Sequence, residues 1–191
     1  MKKQKNPRLF GSLYGLVLCA NLAAISIVLG KYLAINVDQY IRISFESLPV
    51  IAGGFFFGPV AGALIGIVAD LLGCIMVGYT VNPIITLGAG SAGAIAGIVG
   101  FIIFRDQSTR KRRTAAAIVA TVCAHVIGSM TIKSIGMAVY YGLGFGVLWV
   151  RIPLYVCIAA AEGALMAVLA NSRVFIRERE RLLAQRRRNK P

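Results

Sequence analysis

Acidic residues are scarce in this 191-residue chain. Seven Asp and Glu stand against 21 Lys and Arg, for a net charge of +14. There is a single histidine, His125, and a single tryptophan, Trp149. The four cysteines, Cys19, Cys74, Cys123 and Cys157, lie far apart in apolar runs, with no CxxC and no Cys/His ligand spacing. No metal site is expected from them, and the thiols read as small buried hydrophobes. A phosphate-binding loop is missing too: Gly30-Lys31 lacks both the preceding glycine and a following Ser or Thr. The chain cannot therefore drive active transport by its own nucleotide hydrolysis. Nor is Gly90-Ser91-Ala92-Gly93 a nucleophile elbow. A membrane enzyme built on Ser91 and His125 is accordingly set aside, and neither catalysis nor a cofactor is expected.

Apolar residues are what the chain has in excess. They make up 58% of it, with a mean hydropathy of +0.75, against about 45–50% in a soluble domain. The basic residues are segregated: four lie in residues 1–8, five in 105–113 and eight in 173–190. Only Lys31, Arg42, Lys133 and Arg151 lie elsewhere. Short basic tails and a loop are a topology signal, not the interleaved basic face that binds nucleic acid.

A spanning helix needs about 20 apolar residues. The sequence predicts one membrane domain over 1–191, all-α and polytopic, with helices at about 9–34, 45–57, 60–77, 83–104, 114–139 and 152–172. The first reads as a retained helix, not a cleaved leader. Gly58-Pro59 turns the second helix into the third. Six spans place both termini and the 105–113 loop in the cytoplasm. The basic tail 173–191 is then cytoplasmic and near anionic lipid headgroups. The links 35–44, 78–82 and 140–151 face outside.

Ionisable residues inside spans are costly and need a reason. Asp70, His125 and Glu162 fall near mid-depth, and Lys133 higher. They read either as a polar cluster facing a ligand or as structural pairs, His125 with Glu162 and Asp70 with Lys133 or a helix terminus. The outer links add Arg42, Glu46, Tyr79, Asn82, Tyr140, Tyr141, Trp149 and Arg151. Aromatic walls with a few placed polar groups suit a small molecule, while an interfacial aromatic belt with snorkelling cations suits the same residues. Small residues spaced four apart, Ala20/Ala24, Gly62/Gly66 and Gly93/Gly97, let helices approach closely. An ion-coupled secondary transporter using Asp70, His125 and Glu162 is the alternative function, although no inverted repeat is visible.

The chain resembles the S components, the substrate-binding subunits, of energy-coupling factor (ECF) vitamin transporters, and within them the folate family. The residues that carry the resemblance are Arg42-Ile43-Ser44-Phe45, Leu48-Pro49, Phe57-Gly58-Pro59-Val60, Gly62 with Gly66, Ala69-Asp70-Leu71-Leu72-Gly73, Asn82-Pro83, Thr86-Leu87 and Arg151. It implies six helices and an outward pocket built from the outer loops and the upper parts of helices 4–6. The ligand it implies is a vitamin, foremost folate or a related pterin. Because the link 78–83 is compact here, pantothenate, thiamine and riboflavin stay open. Tyr79, Asn82 and Trp149 are expected at the ring, Arg42, Lys133 and Arg151 at an acidic end, and Asp70 in the pocket. Ala20 and Ala24 match the motif that docks on a transmembrane T subunit, and two cytoplasmic ABC ATPases complete the implied assembly. The expected location is a prokaryotic plasma membrane.

Overall fold

The computed structural model describes residues 13–36, 42–104, 108–142 and 146–177. The N-terminal basic segment, parts of the 35–44, 105–113 and 140–151 links, and the tail beyond 177 lie outside these residues. Helix α1 runs Leu13–Tyr32, α2 Ser47–Phe57, α3 Pro59–Val77, α4 Pro83–Ile103, α5 Arg110–Tyr140 and α6 Gly146–Ala170. The ends of α1 and α4, Val28–Tyr32 and Val99–Ile103, are π turns, as is His125–Ile132 within α5. Outside the helices, Ile35–Asn36 (β1) and Arg42–Ile43 (β2) pair antiparallel, with Asn36 opposite Arg42.

Five of these helices are long and apolar enough to cross a bilayer. Helix α2 is not: its 11 residues rise only about 16 Å, half of the ~30 Å hydrocarbon core. It survives there because it is enclosed by protein. Ser47 and every residue from Pro49 to Phe57 are buried. Gly58 then reverses the chain at φ 110°, a conformation open to glycine alone, and Pro59 opens α3 without needing a backbone donor.

Glycine sets the spacing of α2, α3 and α4. A Cβ at Gly62 would collide with the carbonyl of Gly93, and one at Gly93 with the carbonyl of Gly62. Gly54 meets the same Gly93 carbonyl, and Gly66 faces Ala89. The backbones therefore touch, and packing rather than hydrophobic exclusion holds them. Ile51, Phe55, Phe56, Ala92, Ala96, Ala116, Ala120 and Met166 fill the core beside this contact. At the end assigned to the cytoplasm, Phe175 stacks on Phe56 with centroids 4.2 Å apart, which fastens the turn 173–177 to α2. Leu64, Val68, Leu72 and Ile75 leave one face of α3 apolar and exposed, as a lipid-facing helix requires. Ala20 and Ala24 are likewise exposed on α1.

Candidate functional site: an outward cleft with three cations and two carboxylates

The shortness of α2 creates the site. Its N-terminus stops at depth, and the space above it is taken by side chains from α1, α3 and α5. A cleft there is lined by Ser26, Lys31, Glu46, Asp70 and Lys133 among polar residues, with Val50, Ala69, Ala89 and Ala92 as apolar wall. Asp70 lies seven residues before the end of α3, about 10 Å below the outer end of that helix.

Glu46 is the hub. Its Oε1 accepts from Lys133 Nζ at 2.8 Å and its Oε2 from Arg42 Nη2 at 3.0 Å. Its backbone carbonyl accepts from Ser26 Oγ at 2.7 Å. The start of α2 is thus tied to β2, α1 and α5 at one residue. Asp70 Oδ2 accepts from Thr86 Oγ1 at 2.7 Å, which joins α3 to α4. Neither partner expected for Asp70, Lys133 or a helix terminus, holds it by a salt bridge; Lys133 is taken by Glu46 instead. Lys31 reaches across α3, with its Nζ 3.7 Å from Cys74 Sγ and 5.7 Å from the centroid of the Tyr79 ring.

Of the expected site residues, Arg42, Asp70 and Lys133 come together here. Tyr79 is exposed and touches the cluster through Lys31. Asn82 is buried and occupied with structure. Its Oδ1 caps α4 by accepting from the backbone N of Ile84 at 3.0 Å, and its Nδ2 donates to the carbonyl of Gly136 at 3.0 Å. Arg151 is also buried, but against Met137 and Tyr155, whose hydroxyl it meets at 3.0 Å. Trp149 is 81% exposed and lines no part of the cleft. The cleft draws on α1 to α5 and shares α4 and α5 with the expected pocket of helices 4 to 6.

Glu46, one of the outer-link candidates, lines the cleft, and so does Lys31, which the sequence does not single out for the site. The available signal is the charge map: Lys31 is one of just four cations outside the basic clusters. It sits at a helix end, where a snorkelling lysine is ordinary, and that masks it.

His125 and Glu162 form a separate centre. Their Nε2 and Oε2 lie 2.7 Å apart across α5 and α6, with side chains 1% and 0% exposed. The structural pairing expected for them is the one observed. Each spends its contact on the other, while Asp70 bonds Thr86, so the three do not form one hydrogen-bonded relay among the described residues. No cluster of three or more metal-ligating side chains occurs among the described residues.

The cleft is nearly shut. Its cavity volume is about 20 Å³, room for roughly one water. A ligand larger than a water enters only if the side chains around Glu46 move apart.

The family model for "ECF transporter, substrate-specific component" matches residues 15–175. No curated protein matches the chain. Among solved structures, a crystal structure of FolT bound with folic acid superposes with a TM-score of 0.63 at 25% identity, covering 84% of this chain and 94% of that one. A second, the S component of a bacterial ECF transporter, gives a TM-score of 0.62 at 21% identity, covering 81% and 91%. The latter likeness is one of fold.

Proposed function

The chain belongs to the family of ECF transporter substrate-specific components, and on that premise we propose that it captures a vitamin, foremost folate or a related pterin. Capture takes place on the outer side of a prokaryotic plasma membrane. Delivery inward takes place in complex with a transmembrane T subunit and two cytoplasmic ABC ATPases. The observation that carries the reading is the family match over residues 15–175. The likeness to folic-acid-bound FolT along 94% of that chain supports folate. Further support is the cleft itself, whose mouth lies at the end that the basic clusters assign to the outside. The lack of a phosphate loop agrees with energy supplied by partners.

Arg42, Lys133 and Asp70 are the expected site residues that we assign to the ligand cleft, with Tyr79 at its rim. Asn82 acts by holding α4 in place. Trp149 and Arg151 stand on α6, outside the cleft lining, and we do not assign them to it. Ala20 and Ala24, exposed on α1, form the face that meets the T subunit. Ion-coupled transport has less support, since His125 and Glu162 are spent on each other in the core.

Calorimetric titration of the purified protein with folate, riboflavin, thiamine and pantothenate tests the ligand. Folate should bind tightest. Binding to none of the four overturns the vitamin reading.

A further inference from the structure

We propose that Lys31 is a binding residue that selects an acidic ligand, as counter-ion to its carboxylate. This rests on the vitamin-binding reading above and adds to it the residue that recognises the ligand's acidic end.

Lys31 and Lys133 line the cleft and Arg42 adjoins it through Glu46, and the three cations are not equivalent. Lys133 and Arg42 share one carboxylate, that of Glu46. Lys31 has no carboxylate within salt-bridge distance among the described residues. Its ammonium has a thiol sulfur at 3.7 Å, a weak acceptor, and the face of Tyr79 at 5.7 Å, which attracts a cation without neutralising it. Asp70 is one helical turn from Cys74 on α3, but it accepts its bond from Thr86.

The posture of Lys31 is built. Its stem lies over Gly73, where a Cβ would come 2.8 Å from Lys31 Cε. The bare backbone at 73 lets the lysine lie across α3 and line the cleft. Glu46 acts on Lys31 through space only, without a direct bond; a half-buried cation with no directly bonded anion is costly, and an incoming carboxylate offsets that cost through a charge-assisted hydrogen bond. The charge count agrees: Lys31, Arg42 and Lys133 against Glu46 and Asp70 leave one positive charge over, enough for one anionic group.

The test is calorimetry on the full-length protein in detergent. Wild type, Lys31→Met and Lys31→Arg are each titrated with acidic vitamins (folate, pantothenate, biotin) and with vitamins that carry no carboxylate (riboflavin, thiamine, pyridoxine). The tightest wild-type ligand should be acidic. Lys31→Met should weaken it by at least about tenfold, the loss of one charge-assisted contact, and Lys31→Arg should restore most of that. A second arm needs no variant: the same vitamin with its carboxylate converted to an amide should bind wild type at least about tenfold more weakly. A tightest ligand without a carboxylate, an unchanged affinity in Lys31→Met, or equal binding of the amide overturns the assignment to Lys31 and leaves vitamin binding standing. Binding to none of the six removes vitamin binding itself, and this assignment with it.

Discussion

Glu46 and Lys133, 87 positions apart in the chain, meet at 2.8 Å. Their contact closes the cleft from the top of the short helix α2 to the outer third of α5. Arg42 takes the other oxygen of the same carboxylate. One carboxylate therefore bonds two cations and ties down the residue at which α2 begins. In a membrane interior a lysine as buried as Lys133, 8% exposed, needs such a partner.

Glu46→Gln should leave Lys133 and Arg42 without their anion. We expect a cost of roughly 1–3 kcal/mol, the range for a buried polar group that loses its partner. It should appear as a lower melting temperature in detergent. Replacing both members, in Glu46→Met with Lys133→Met, should recover part of the loss, because the buried lysine no longer lacks an anion and only the more exposed Arg42 loses its partner. A double variant as unstable as the sum of the singles would show that the two act independently.

This pair also marks where the sequence stops being legible. The helices are visible because apolar length and glycine-proline punctuation are local signals; α3, expected at about 60–77, runs Pro59–Val77. The His125–Glu162 contact was readable too, as two costly residues at matching depth. The Glu46–Lys133 contact has no local signature, since it depends on how deep α2 begins. Depth follows from α2 being enclosed by other helices and so able to be short, a property of packing. Lys31 was hidden by its ordinary place at a helix end. Asn82 reads two ways, because a polar residue before a proline at the outer surface is equally what a cap and a pocket wall require; the cap is the role observed.

Gly93→Ala should be among the most damaging single-methyl additions. Its Cβ would collide with the carbonyl of Gly62, and α4 would have to move off α3. Overpacking of this kind costs about 1–3 kcal/mol or more. Gly163→Ala is the matched control on α6, where an added Cβ meets nothing within 4 Å and alanine favours the helix by up to about 1 kcal/mol. Melting curves in one detergent should separate the two by sign: Gly93→Ala lower than wild type, Gly163→Ala equal or higher.

The His125–Glu162 pair should behave as a structural tie. Three buried polar atoms at this centre, His125 Nδ1, Ser129 Oγ and Glu162 Oε1, already have no hydrogen-bond partner among the described residues. Removing one more is expensive. Glu162→Leu should cost roughly 2–5 kcal/mol, Glu162→Gln much less, and the double change to leucine at 125 and 162 less than Glu162→Leu alone. Neither residue lines the cleft, so the folded fraction of Glu162→Gln should bind ligand as wild type does. An affinity loss of tenfold or more in a variant that melts normally would return the pair to the ligand path.

Asn82 separates contact from positioning. Its Oδ1 caps α4 and its Nδ2 holds the carbonyl of Gly136 on α5, while Asp70 is held through Thr86 one turn into the same helix. Asn82→Asp keeps the cap, since aspartate accepts at least as well at that position, but loses the donor to Gly136. Asn82→Ala loses both, at about 1 kcal/mol for the cap and a similar amount for the bond to Gly136. If Asn82 positions rather than touches the ligand, affinity should follow stability: wild type, then Asn82→Asp, then Asn82→Ala, in both melting temperature and titration. A ring contact predicts otherwise. Asn82→Asp would then lose binding as fully as Asn82→Ala while melting above it, because a carboxylate at 82 has no N–H to offer a pterin edge.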